Sequence, residues 1–112
     1  MRSPLTPTLS VVGSATGTAS LAGAIVAGAA GKRTLVHGLD IGYQTVGSRH
    51  LMELKAGGSV IWSKAIVDEL SVDWGQSPLQ VTAGNSLQLT GPPPGTGLEA
   101  RATIRYRQEN TG

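Results

Sequence analysis

The chain has 112 residues, which is enough for one domain, and 14% of them are charged, against about a quarter in an average soluble domain. Its formal net charge of +2 argues against a protein that binds nucleic acid by neutralising phosphates. Cysteine is absent, which excludes disulfides and thiolate metal sites and fits assembly in a reducing cytoplasm. The few aromatic residues imply a small core, so we expect self-association or packing against other subunits.

Residues 1–30 differ in composition from the rest of the chain. Arg2 is their one charged side chain, and Pro, Gly, Ser, Thr and Ala separate their few apolar residues. Such a segment buries too little apolar surface to fold alone. We therefore predict an extended N-terminal arm that orders only on a partner. The apolar residues expected to contact that partner are Leu5, Leu9, Val11, Val12, Leu21, Ile25 and Val26.

Two other interpretations of this segment are weaker. A secretory signal peptide would use Arg2, an apolar stretch and a cleavage site of the A-x-A type at residues 27–29. Pro, Ser, Thr and Gly dilute that stretch, however, and it falls well short of the roughly 20 continuous apolar residues of a membrane-spanning helix. We expect neither cleavage nor membrane insertion.

From Gly31 onward, apolar and polar residues alternate with the period of β-strands. One predicted strand places Leu35, His37, Leu39, Ile41 and Tyr43 on one face. On its other face, Gly38 and Gly42 predict a bulge or the close approach of another chain segment. Further strands are predicted over residues 50–56, 60–62 and 65–74, with a turn at Gly57-Gly58 and Asp68 near a strand end.

The stretch Pro78–Thr90 is predicted to be a hairpin. Leu79 and Val81 alternate with polar residues, Ala83-Gly84-Asn85 supplies a turn, and Leu87 and Leu89 resume the alternation. The last strand is the clearest, with alternating apolar residues from Leu98 to Tyr106. We expect one buried core that contains Leu39, Leu70, Val72, Leu79, Val81, Leu87, Leu89 and Ile104.

These elements predict an all-β fold: a small antiparallel β-sandwich, jelly-roll-like, over residues 31–108, followed by a C-terminal tail at 109–112. On the outward face of the last strand, Arg101, Arg105 and Arg107 form a basic row. The row either docks on an acidic partner surface or is simply a solvated face.

No motif for catalysis or for metal or cofactor binding stands out. The loop Gly91–Gly97 superficially resembles a phosphate-binding loop, but it lacks the following Lys and Ser or Thr. His37 is expected on an apolar face, and His50 follows a cationic arginine that disfavours a metal. We therefore expect a non-enzymatic protein with no cofactor.

The order of the strands and turns resembles small β-sandwich virion proteins of tailed bacteriophages, of the capsid decoration, cement or head-fibre type. The resemblance lies in Gly31-Lys32-Arg33 followed by Val36-His37, in Gly57-Gly58-Ser59-Val60-Ile61-Trp62, in Thr82-Ala83-Gly84-Asn85-Ser86-Leu87, and in Gly97 with the closing strand to Tyr106. It implies a structural protein, commonly a homotrimer, that binds the major capsid protein or neighbouring virion subunits. Such a protein stabilises the head from its outer surface after assembly in the host cytoplasm, and it binds neither nucleic acid nor membrane.

Two alternatives remain open. A carbohydrate-binding or adhesion module would share the sandwich fold and would use an exposed Trp62 or Trp74 to stack on sugar rings. A structural subunit of a secreted assembly would be marked by a cleaved N-terminus.

Overall fold

The computed structural model describes residues 9–44 and 49–110, which form nine β-strands and no helix. In chain order the strands are β1 (Leu9–Gly17), β2 (Leu21–Val26), β3 (Lys32–Tyr43), β4 (Arg49–Ala56), β5 (Ser59–Val67), β6 (Glu69–Asp73), β7 (Leu79–Val81), β8 (Leu87–Gly91) and β9 (Gly95–Asn110).

The strands form two antiparallel sheets. Sheet A has the order β1-β9-β3-β6, and β7 pairs with the first part of β3. Sheet B has the order β2-β8-β4-β5. Two apolar sheet faces cover each other, as a sandwich requires. The predicted all-β antiparallel sandwich is confirmed.

The core lies between the sheets and follows the alternation of the strands. Along β9, Ala100, Ala102 and Ile104 are buried, whereas Arg101 between them is exposed. All eight residues expected in one core belong to a single apolar cluster or pack against it. The predicted inward faces of these strands are therefore correct.

Residues 9–26 of the predicted arm are part of the sandwich. β1 pairs with β9 and β2 pairs with β8, and the side chains of Leu21, Ala24 and Val26 are buried in the core. Gly13 lets the two strands approach closely, because a Cβ there would lie 2.7 Å from the carbonyl carbon of Gly23. The prediction of an arm is thus wrong for these residues. Their apolar side chains are too few to form a separate core, but they complete the core that the later strands form.

The stretch Pro78–Thr90 is not a hairpin. β7 lies in sheet A and β8 in sheet B. The turn between them carries the chain from one sheet to the other; the Asn85 N–H donates to the Thr82 carbonyl oxygen at 3.1 Å, and Gly84 has a φ of 88°. The predicted turn and buried faces are correct and the pairing is wrong, because alternation indicates which side chains face inward but not which strand lies alongside.

A bulge in β3 changes the predicted position of His37. The pairing of β3 with β9 shifts register between Val36 and Gly38, so His37 is an extra residue. Val36 is consequently fully buried and His37 only half-buried, which corrects the expected placement of His37 on the apolar face. The irregularity expected near Gly38 is confirmed.

The sandwich also extends past its predicted C-terminal boundary. Glu109 and Asn110 pair with Arg33 and Lys32 at the end of β9, so they belong to sheet A and not to a tail. Leu5 of the predicted arm and the last two residues, 111 and 112, fall outside the described residues.

Candidate interaction surfaces

The outward surface of β1, β9 and β3 is here called the sheet A face. Register places Ser10 beside Arg105, Val12 beside Thr103 and Ser14 beside Arg101. Two of the predicted partner-binding arginines, Arg101 and Arg105, therefore share one face with Val12.

The arginines of the sheet A face lie beside acids of the same sheet. Arg101 Nε donates to Glu99 Oε1 at 2.7 Å, and Arg105 Nε lies 3.1 Å from Asp40 Oδ2 in an ion pair without hydrogen-bond alignment. At the end of the sheet, Arg33 Nε donates to Glu109 Oε1 at 2.7 Å. The predicted basic row is thus largely neutralised within its own face, which favours a solvated surface over an acidic docking site.

Arg105 also fixes the geometry of β3. Its Nη2 donates to the Val72 carbonyl oxygen of β6 at 3.2 Å, so the guanidinium crosses over Gly38. A Cβ at Gly38 would lie 2.6 Å from the guanidinium carbon and 2.6 Å from that carbonyl oxygen. Gly38 therefore provides the space through which β9 is tied to β6.

Arg107 is more enclosed than the other two arginines of the row. It lies opposite Leu35, which is buried although it is not part of the core cluster. Arg107 Nε is buried and has no hydrogen-bond acceptor among residues 9–44 and 49–110. Its guanidinium is accordingly less available to a partner than that of Arg101.

The outward surface of β2, β4 and β5 is here called the sheet B face, and on it exposed apolar side chains lie beside the charged Arg49 and Glu53 of β4. Across the described residues seven large apolar side chains are exposed, and five of them belong to strands of sheet B. These five are Ile25, Leu51, Val60, Ile61 and Val67, of which Leu51 is 55% exposed. This concentration of exposed apolar side chains makes the sheet B face the candidate interaction surface.

An open groove of about 510 Å³ lies where β2 and β4 begin and β8 ends. Its lining is mixed, with Ala22, Leu51 and Thr90 beside the charged Arg49 and Glu53. A smaller groove, of about 320 Å³, lies at the end of β3 beside Asp68, Glu99 and Arg101 and is more polar in its side chains. The larger groove adds concave surface to the sheet B face.

β5 forms one edge of sheet B, since its hydrogen-bonded neighbour among the described strands is β4 alone. Register shifts between Leu54 and Lys55, so β5 carries a bulge that leaves Val60 and Ile61 both exposed. Lys64 lies on the same side of β5 as Trp62 and Ile66, which face the core, yet Lys64 itself is exposed. A bulge and an inward-register charge are both features that limit indiscriminate pairing at a strand edge.

The two tryptophans close the sandwich at this edge. Trp62 of β5 and Trp74, directly after β6, meet edge to face, with ring centroids 6.3 Å apart at an interplanar angle of 82°. Both are half-buried and pack against the core. Their rings serve packing, so they do not form the open aromatic platform that the carbohydrate-binding alternative requires.

The polar groups of the interior also have packing roles. His50 stacks on Tyr43, with ring centroids 4.0 Å apart and nearly parallel planes. The Tyr43 hydroxyl donates to the Pro92 carbonyl oxygen at 2.8 Å, and burial raises the pKa of Tyr43 to about 12.

Among residues 9–44 and 49–110, no group of three or more His, Cys, Asp or Glu side chains is placed to hold a metal ion. Over the same residues no helix has the length and apolarity to cross a membrane.

The predicted partner-binding residues divide into three groups. Val12 and Ile25 are exposed, but on the opposite faces of sheets A and B, and Leu9 is exposed at the start of β1. Val11 is half-buried against the core, and Leu21 and Val26 are inside it, so the assignment of Leu21 and Val26 to a partner contact is wrong.

Sequence reasoning missed Leu51, Val60, Ile61 and Val67. The available signal was that β5, which follows Gly57-Gly58, has apolar residues on both of its faces. A strand that is apolar on both faces needs another surface to cover each of them.

Comparison of the chain with protein-family models, with curated proteins and with solved structures finds no match.

Proposed function

We propose that this chain is a non-enzymatic structural subunit that binds other protein subunits through the sheet B face. The observation that carries the proposal is the concentration of exposed apolar side chains on that face, five of the seven in the described residues. Covering apolar surface contributes roughly 25 cal/mol per Å², whereas an exposed ion pair contributes about 1 kcal/mol or less. The sheet B face therefore has more association free energy to offer than the sheet A face.

The assembly we propose is a virion, with the chain as a decoration or cement protein on the outer surface of a phage head. The confirmed sandwich and the order of its turns agree with the resemblance to such proteins, and the low content of charge suits a protein packed among others. The partner would be the major capsid protein. Many copies on a symmetric lattice would stabilise the head through contacts that are individually weak.

Binding to phage heads tests this proposal. The heads are assembled from the major capsid protein encoded in the same genome, mixed with the purified chain and sedimented. Wild-type chain is expected to sediment with the heads and to raise their thermal stability. The double variant L51E/V67E is expected to stay in the supernatant, because each carboxylate would be desolvated at the contact.

The matched control is Val12→Glu, which places the same charge on an equally exposed apolar residue of the sheet A face. It should bind heads as wild type does, and circular dichroism should show all variants folded. Loss of binding in V12E with retention in L51E/V67E would move the contact to sheet A. A wild-type chain that binds no head would contradict the virion role, and binding to a glycan array would favour the adhesion alternative.

A further inference from the structure

Opposite charges lie on either side of Leu51 on the sheet B face. Residues two apart in a strand share a face, so β4 turns Arg49, Leu51 and Glu53 to the same side, and all three line the larger groove. Leu51 is exposed, and about 13 Å along the strand separates Arg49 from Glu53. We call this positive, apolar and negative series the β4 line.

The two charges of the β4 line are not compensated within the chain. On sheet A, Arg33, Arg101 and Arg105 each form an ion pair with an acid of the same sheet. Arg49 and Glu53, by contrast, form no ion pair among residues 9–44 and 49–110. Both charges of the β4 line therefore remain available to a partner surface.

We propose that the partner is a second copy of the chain, stacked face to face on the first about a twofold axis at Leu51. The axis lies between the two sheets and runs across the strands, so the two β4 strands are antiparallel. Arg49 of each copy then lies opposite Glu53 of the other, and the two Leu51 side chains meet on the axis. A twofold contact sets one surface against itself, and the β4 line has the self-complementarity that this requires.

The order of the charges identifies a second copy as the occupant. A positive, apolar and negative series is matched in every member by the same series reversed. Parallel β4 strands would instead set Arg49 against Arg49. A register centred on Glu53 would oppose two carboxylates and place Leu51 against Lys55. Like charges across an interface suppress such pairings, which leaves the antiparallel register centred on Leu51.

The neighbouring strand adds apolar surface to the same contact. Leu51 pairs with Ala65 of β5, which is exposed on the same face. The axis keeps β5 above β5 of the second copy, so the two Ala65 side chains also meet and Val67 lies above Ser63. Stacked sheets lie about 10 Å apart, a gap that extended arginine and glutamate side chains can bridge from both sides. The exposed side chains of Leu51 and Val67 are covered in this way.

The contact occupies one end of the sheet B face, so it buries less than the roughly 800 Å² per partner of a typical stable interface. A dissociation constant in the micromolar range or weaker is the corresponding expectation. The pairing goes beyond the proposed function and gives a dimer, in contrast to the trimer implied by the resemblance. Because the dimer covers Leu51, a phage head and a second copy compete for this end of the sheet B face.

Charge reversal tests the contact by sedimentation equilibrium of the chain alone. The wild-type chain should show a monomer–dimer equilibrium. Arg49→Glu and Glu53→Arg each set like charges opposite each other on both sides of the axis, so each should weaken the dimer roughly tenfold or more. The double variant R49E/E53R restores both ion pairs with their signs exchanged, and it should dimerise as the wild type does.

A mixture of the two single variants gives the most specific result. R49E carries two acids in the β4 line and E53R carries two arginines, so the mixture should form a heterodimer. Neither variant should dimerise by itself at the same concentration. Such association requires that position 49 of one copy meets position 53 of the other.

Arg101→Glu is the matched control, because it makes the same change of charge at an exposed residue of the sheet A face. It should leave the dissociation constant unchanged, and circular dichroism should show all variants folded. A wild-type chain that stays monomeric or forms trimers, an equal loss in R49E and R101E, or a mixture that does not associate would each overturn the proposal. Heads are absent from these measurements, so the dimer and the binding to heads can fail separately.

Discussion

The two outer faces of the sandwich are built by the same alternation of side chains but differ in chemistry. On the sheet A face Arg101 and Arg105 lie beside Glu99 and Asp40, and Arg105 also bonds to the backbone of β6. On the sheet B face the side chains of Ile25, Leu51 and Val67 are exposed, although Arg49 pairs with Val67 across β4 and β5. The first face is largely compensated by its own ion pairs, whereas the second exposes more large apolar side chains.

The comparison shows that the basic row in the sequence is a poor guide to where the exposed apolar side chains of this chain lie. The arginine row attracts attention because it is the one basic stripe, yet its members lie beside acids of the same sheet. Leu51 and Val67 are unremarkable in sequence and become informative only when the opposite face of their strands is seen to be covered. For this reason the association surface that we propose lies on sheet B.

Deletion of residues 1–28 is expected to have the largest effect, since it would remove an edge strand from each sheet and break both faces at once. β1 supplies Val12 to the sheet A face, and β2 supplies Ile25 to the sheet B face and Leu21, Ala24 and Val26 to the core. The truncated chain should lose cooperative thermal unfolding and show poor dispersion of amide resonances. A truncated chain that still melts cooperatively would mean that these strands are dispensable.

Leu89→Ala should have the next largest effect and separates the two sides of sheet B. Leu89 is fully buried, so its truncation should lower the free energy of unfolding by about 2–5 kcal/mol through lost burial and a residual cavity. Leu51→Ala, on the outer side of the same sheet, should lower it by about 0.5 kcal/mol or less. Urea denaturation measures both, and equal effects would contradict the assigned faces.

Gly38→Ala probes the polar network of the sheet A face. The added methyl group would meet the Arg105 guanidinium and the Val72 carbonyl oxygen, so a loss of about 1–3 kcal/mol is expected from steric displacement. Gly42 lies on the same face of β3, and a Cβ there would meet no atom within 4 Å. Gly42→Ala should therefore be close to neutral, and a similar loss in both variants would argue against the role of Arg105 above Gly38.

Arg101→Ala should have the smallest effect. Its side chain is 71% exposed in the pair with Glu99, and exposed pairs of this kind contribute about 0–1 kcal/mol. Denaturation at low and high salt should give nearly the same difference from wild type. A loss of unfolding free energy as large as that of Leu89→Ala would mean that ion pairs on the sheet A face contribute substantially to the stability of the fold.

Much of the fold could be predicted from alternation, because the period of two decides which side chains face inward. That rule placed Leu39, Val81, Leu87 and Ile104 in the core. It could not show that β7 and β8 belong to different sheets, since pairing depends on the path of the whole chain. It also failed for residues 9–26, where glycine and serine weaken the pattern and the core that stabilises the strands comes from distant residues.

The candidate surface was less predictable than the fold. Val12 and Ile25 were predicted to contact a partner from an arm, and both are exposed, but they lie on two strands of the sandwich. Leu51 and Val67 were missed, because a strand with apolar residues on both sides does not reveal which side the second sheet covers. The bulges at His37 and near Lys55 add to this, since one extra residue exchanges inward and outward positions.

Thiol labelling tests the central claim, that the sheet B face is the contact surface, most directly. Single cysteines at Leu51 and Val12 report on the two faces, because the chain has no other thiol and both positions are more than half exposed. The rate of reaction with a maleimide is measured for the free chain and for the chain bound to heads of the major capsid protein. We predict that binding strongly slows labelling of L51C and leaves the rate of V12C unchanged. A bound chain in which V12C is protected and L51C still reacts freely would contradict the account.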